Sequence, residues 1–120
     1  MIDMSIGASS ALLSIDVEPD RDRVIVRPVG EIDISNVHHL EREARDLLDR
    51  GFDALVLDLS ELRFIDGRGL RCIREIALAL GDGLTLCPGP HAVQRALEVG
   101  GLLPILRFER ARRFARQPAA

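Results

Sequence analysis

The chain has 120 residues, room for one compact domain, and with 47% hydrophobic and 29% charged residues it can bury a core and stay soluble, which excludes a disordered-tail reading. Nineteen acidic residues against sixteen basic ones give a net charge of −3, every cation is an arginine, and Trp and Tyr are absent. Schiff-base or P-loop lysine chemistry is therefore excluded, and nucleic-acid binding through a basic, aromatic-studded surface is disfavoured.

Residues 1–10 are short of large apolar groups and read as a flexible N-terminus. Leu12 to Glu18 alternates well enough for a strand, Pro19 to Asp22 makes a turn, and 23–30 alternates again. The two strands read as an antiparallel hairpin, closed by Gly30-Glu31-Ile32-Asp33. Ser35 is placed to cap a helix carrying Val37, Leu40, Ala44, Leu47 and Leu48 on one stripe, and Gly51 ends it. The nearly continuous apolar run from Ala54 to Leu59 predicts a central strand covered on both faces.

A loop from Ser60 to Gly69 then leads into a helix with Leu70, Ile73, Ile76, Ala77 and Leu80. Leu84 to Cys87 reads as a short strand broken by Pro88-Gly89-Pro90, and His91 to Val99 as a third helix stopped by Gly100-Gly101. Ile105 to Phe108 is predicted as a last strand, 110–117 as a short basic helix, and 118–120 as a tail. The order β-β-α-β-α-β-α-β-α over 11–117 is one α/β domain with a small mixed β-sheet flanked by helices. The strands after residue 35 pair largely in parallel through right-handed crossovers.

Few residues offer chemistry. Cys72 and Cys87 lack the spacing and the company for a zinc site or a disulfide scaffold, and read as small buried hydrophobes in a reducing cytoplasm. His38 and His39 are neighbours on a helix, read as pointing to different sides, and do not jointly hold a metal there. His91 reads as ordinary helix-start chemistry. Asp58 and Asp66, at or past a strand end, read as capping carboxylates and not as a general acid–base pair. No catalytic residue, metal or cofactor is expected. The stretch before Arg21 has no basic residue, and no apolar run reaches the ~18 residues needed to span a bilayer, so a cytoplasmic protein without membrane insertion is expected.

Phe64-Ile65-Asp66-Gly67-Arg68-Gly69 occupies the place where α/β folds usually build a site, a Gly-containing turn opening a helix. The helix start there favours an anion near 67–69. Charge is divided unevenly: residues 1–66 carry 15 acidic and 7 basic side chains, whereas 67–120 carry 4 and 9. Regions of opposite sign suit docking to a protein partner.

The run from Leu55 to Leu70, LVLDLSELRFIDGRGL, resembles the signature of the STAS domain, the fold of bacterial anti-sigma factor antagonists. Gly30-Glu31-Ile32-Asp33, Val99-Gly100-Gly101-Leu102 and Ile105-Leu106-Arg107-Phe108 support it, and the resemblance runs from about Leu12 to Ala115. It implies a regulatory protein without enzymatic activity that binds a kinase-type anti-sigma factor or similar regulatory protein, with no nucleic-acid partner. In partner-switching members the kinase phosphorylates a Ser or Thr at the start of the helix after the Asp, and the phosphorylated antagonist lets go. The implied contact surface is Asp33, Ser35 and Asn36 together with Asp66, Gly67, Arg68, Gly69 and Leu70.

This chain departs from the signature where it matters most. In place of Asp-Ser-Ser/Thr-Gly it has Asp66-Gly67-Arg68-Gly69, so Arg68 stands at the phosphoacceptor position and phosphorylation control at the usual site is expected to be absent. Ser60 belongs to the preceding turn and is no substitute. Two alternatives stay open: a ligand-sensing STAS module in which Gly67, Arg68 and Gly69 seat a nucleotide or other small anion, and a STAS adaptor subunit of a lipid-transport assembly. An exposed sheet edge leaves a homodimer open as well.

Overall fold

The computed structural model describes residues 12–110. Its elements are β1 (Leu13–Asp20), β2 (Arg23–Ile32), α1 (Val37–Asp49), β3 (Leu55–Asp58), β4 (Leu62–Ile65), α2 (Gly67–Leu80), β5 (Leu84–Cys87) and α3 (His91–Val99), with single 3-10 turns at Gly81–Gly83 and Leu103–Ile105. β1 and β2 form the expected antiparallel hairpin, in register from Leu13↔Gly30 to Asp20↔Arg23. The other edge of β2 is shared. Its first half pairs in parallel with β3 (Val24↔Leu55, Val26↔Leu57), and its last residues pair in parallel with β4 (Gly30↔Leu62, Ile32↔Ile65). β5 adds in parallel to β3, giving a mixed five-strand sheet.

β4 corrects the reading of Ser60 to Gly69 as a loop. The register slips between Gly30 and Glu31, so the four residues of β4 do not alternate: Leu62 and Ile65 are buried while Arg63 and Phe64 are exposed. An irregular strand of this kind has no period-2 signature to find. The predicted strand at 105–108 also shrinks. Pro104 sits in the 3-10 turn Leu103–Ile105, and only Phe108 reaches the sheet, in a one-residue parallel bridge to Leu86 held by Leu86 N–H to Arg107 O and Glu109 N–H to Leu86 O, each 2.8 Å. The predicted flexible segment 1–10 and, beyond Arg110, the basic helix lie outside the described residues.

One face of the sheet packs on the helices. Val24, Val26, Ile32, Leu55, Leu57, Leu84 and Leu86 meet Leu40 and Leu47 of α1, Ile73 and Ile76 of α2, and Val93 and Leu97 of α3 in one core. The helical residues recur at the three- and four-residue spacing that makes a buried stripe. On the other face Ile25, Val56 and Cys87 form a small second cluster. Beside it lies Arg27, buried with three carboxylates: Nε donates to Asp58 Oδ2 at 2.9 Å, while Nη1 lies 3.2 Å from Glu18 Oε1 and 3.8 Å from Asp16 Oδ2. These hydrogen bonds and charges outweigh the desolvation of the guanidinium and raise its pKa above the ordinary value.

The cysteines are buried, as expected. Burial, with Glu41 and Glu75 near, pushes the Cys72 thiol up to about 12, which leaves it unreactive in the folded protein. His38 and His39 do not diverge as expected: their rings lie 4.2 Å apart at a tilt of 38°. No helix among the described residues is long and apolar enough to cross a membrane.

Gly30 is fixed by geometry. It has φ +116, and a Cβ there would stand 2.0 Å from the Leu12 carbonyl oxygen, the acceptor of the Glu31 N–H. Gly51, at φ +94, has no atom within 4 Å of its Cβ position. Gly30→Ala is therefore expected to lower unfolding free energy by about 3 kcal/mol or more, and Gly51→Ala by only about 1 kcal/mol, in denaturant titrations of the two variants.

Candidate functional site

Because β2 and β4 run parallel and end side by side at Ile32 and Ile65, the segments leaving them are neighbours. Asp66 joins them. Its N–H donates to Ile32 O at 3.1 Å, and its carboxylate divides between the two segments: Oδ1 accepts the Gly69 N–H and Oδ2 the Ile34 N–H, each at 3.0 Å. One side chain thus caps α2 and holds the turn before α1 against it. The capping role read for Asp66 is observed, and α2 starts three residues earlier than the apolar stripe indicates, at Gly67.

The other half is a turn built on Asp33 and Asn36. Asp33 Oδ1 accepts the Ser35 N–H at 2.9 Å and the Ser35 hydroxyl at 2.5 Å, and Asp33 O accepts the Asn36 and Val37 N–H groups. Asn36 is buried; its Oδ1 accepts the Asp33 N–H and its Nδ2 donates to Glu31 O. Ser35 therefore does not cap α1 as predicted. Asn36 stands at the cap position and spends its side chain backwards on Asp33 and Glu31, leaving the Ser35 hydroxyl at the surface on Asp33. The Ser35 hydroxyl, then its N–H, hold the Asp33 carboxyl below the usual carboxylate range.

The Asp66–Leu70 segment has a fixed side and an open side. A Cβ on Gly69 would stand 2.5 Å from Ile65 Cγ1 and 2.8 Å from Ile32 Cγ2, so only glycine lets α2 start this close to the sheet. Gly67 has nothing within 4 Å of its Cβ position. Neither glycine has a positive φ. Arg68 is exposed, and its side chain makes no hydrogen bond or ion pair with a described residue. The small-anion seat proposed for 67–69 is partly taken by the protein itself, since the Gly69 N–H already belongs to the Asp66 carboxylate.

The structure brings Asp33, Ser35, Asn36, Asp66, Gly67, Arg68, Gly69 and Leu70 to one end of the sheet, and it adds residues that sequence reasoning missed. Ile34 is 62% exposed between them, and Phe64 is exposed just before Ile65. Leu70 Cδ1 lies 3.1 Å from where a Cβ on Gly100 would stand, so the end of α3 abuts the first turn of α2 and carries Val99, 74% exposed, beside it. The signal for Ile34 was present: a lone large aliphatic in an otherwise polar turn. A cleft of about 360 Å³ lies apart from these loops, lined by Leu13, Ser14, Gly30, Ser60, Leu62 and Pro90 among others. Among the described residues no group of His, Cys, Asp and Glu could hold a metal ion.

The pattern of the STAS domain matches residues 14–115. The chain belongs to the STAS domain family. A relative from Bordetella bronchiseptica, carrying the name anti-sigma factor antagonist BtrV, is 32% identical over 89 residues, which are 72% of this chain and 77% of that protein. Among solved structures, an anti-sigma factor antagonist from Mycobacterium paratuberculosis superposes with a TM-score of 0.74 at 26% identity, covering 80% of this chain and 84% of that one. SpoIIAA from Bacillus, solved in its phosphorylated form, shares the fold at a TM-score of 0.61 and 18% identity, over 80% of this chain and 91% of its own. The STAS domain is thus shown, and with it a likeness to bacterial anti-sigma factor antagonists.

Two measurements check the geometry. In carboxyl-detected NMR titrations, Ser35→Ala is expected to move the Asp33 midpoint up towards the ordinary aspartate value, because the largest stabiliser of its charged form is lost. Gly69→Ala is expected to cost about 1–3 kcal/mol through overpacking, whereas Gly67→Ala, at an open position, changes stability by less than about 0.5 kcal/mol.

Proposed function

We propose that this protein is a cytoplasmic anti-sigma factor antagonist that acts by contact and without chemistry of its own. It binds a kinase-type anti-sigma factor through the Asp33–Asn36 turn and the Asp66–Leu70 segment, and phosphorylation at the usual position plays no part. The observation that carries the reading is Arg68. It stands exposed two residues past the capping Asp66, where the family places the hydroxyl that is phosphorylated, and it has no phosphorylatable atom. The exposed Ile34, in the turn tied to Asp66, and Val99, at the end of α3 that abuts Leu70, supply apolar surface for a protein contact.

The physics of such a switch explains what its absence changes. A phosphoryl group brings about −1.5 to −2 charges and new bulk into a contact surface, and 1.4 kcal/mol of lost binding is already a tenfold change in affinity. With an arginine there, the surface keeps one fixed cation and the binding-competent form is not removed at that position.

The test uses the full chain, purified kinase-type anti-sigma factors and labelled ATP. The wild type is expected to bind such a partner and to acquire no phosphate on residues 66–70. Arg68→Ser is expected to gain phosphate at position 68, read by tandem mass spectrometry. Failure to bind any kinase-type anti-sigma factor, or failure of Arg68→Ser to be labelled while bound, counts against the reading.

A further inference from the structure

We propose that Ser35 is a phosphoacceptor of this surface, so that control lost at position 68 is exercised from the adjoining turn. The proposal rests on the reading of the partner as a kinase-type protein.

Four hydroxyl-bearing residues lie within 12–110: Ser14, Ser35, Ser60 and Thr85. Ser14 is on β1, Thr85 on β5, and Ser60 follows the buried Asp58, whose Oδ1 holds its N–H. Only Ser35 belongs to the end of the sheet where the segments after β2 and β4 meet. The residue before it, Ile34, gives its N–H to Asp66 Oδ2, and the Gly67–Arg68 turn begins on that same Asp66. A partner whose active site is directed at the start of α2 therefore meets the Ser35 hydroxyl in the neighbouring segment.

That hydroxyl is exposed and poised for transfer. Ser35 Oγ donates to Asp33 Oδ1 at 2.5 Å, and that bond holds the carboxyl in its ionised form. In the transfer, Ser35 Oγ attacks the γ-phosphorus of a nucleoside triphosphate carried by the partner. The bond from that phosphorus to the bridging oxygen breaks, the nucleoside diphosphate leaves, and the Oγ proton passes to Asp33 and on to water. The product places a dianion two residues before the first residue of α1, on the side the helix dipole favours, and in the segment next to Arg68, which has no other anionic partner among the described residues. It also adds charge and bulk beside the exposed Ile34, in the middle of the contact surface.

The full-length chain is incubated with a kinase-type anti-sigma factor that binds it and with ATP labelled at the γ-phosphate. The expected result is label on Ser35 by tandem mass spectrometry, lost in Ser35→Ala, retained in Ser60→Ala and restored in Ser35→Thr. Independently of transfer, Ser35→Glu is expected to weaken partner binding tenfold or more relative to Ser35→Ala, which loses the same hydroxyl contact without gaining charge. Binding without label on Ser35, or Ser35→Glu binding like the wild type, overturns this inference and leaves the functional reading standing. Absence of any binding overturns both.

Discussion

The candidate surface exists because one edge of β2 is long enough to seat two strands. Ten residues let β3 pair with Val24 to Val26 and still leave Gly30 to Ile32 for β4. Had β3 run on without the turn at Ser60, Asp66 would not arrive beside Ile32. With the turn, two parallel strands end at the same level, and the segments that follow them touch. Parallel strands usually expose their carboxyl ends as the place where function is built. Here the two loops are fastened by a carboxylate that spends one oxygen on each, so neither can shift without disturbing the other.

The jog between β3 and β4 is itself held from the far side of the sheet. Asp58 accepts the Ser60 N–H with Oδ1 and the buried Arg27 guanidinium with Oδ2. A buried ion pair is weak grounds for stability, since desolvating both partners costs much of what their attraction returns. Its use here is positional: the directional N–H groups of arginine reach Asp58 on β3 and Glu18 on β1 at once, across β2. Removing Arg27 would leave the buried Asp58 carboxylate without its cation at the place where the chain turns towards β4. Asp58, read from sequence as a strand-end residue, is thus linked to Asp66 through four residues of strand and one turn.

The hairpin, α1, β3, α2, β5 and α3 could be read from the sequence because each buries one face at a regular spacing, and hydrophobic periodicity reports just that. β4 could not, because its register slip leaves two exposed residues between two buried ones. The last strand was overread from apolar residues that instead form a 3-10 turn around Pro104. At the site, Asp66 was legible as a cap because the carboxylate and the amides it serves are close in sequence. Its second bond, to Ile34, spans 32 residues and depends on the pairing of β2 with β4, which the sequence pattern did not contain. Ser35 failed as a predicted cap for a related reason: three polar residues in four compete for the same amides, and the buried Asn36 is anchored by Glu31 O.

The contrast between Gly67, Arg68 and Gly69 shows what the scaffold holds fixed and what it leaves free. Gly69 is closed in by Ile32 and Ile65, and Asp66 is committed to two amides, so these two positions answer to packing. Gly67 and Arg68 face open space and bear no load in the fold. A hydroxyl, a glycine or an arginine can occupy them without moving α2, so the chemistry presented to a partner changes independently of the frame that presents it. The same independence holds in the adjoining turn, where the Ser35 hydroxyl is exposed and bonded only to Asp33. The frame of the two segments is set by Asp66, Asn36 and Gly69, and the exposed side chains between them vary without disturbing it.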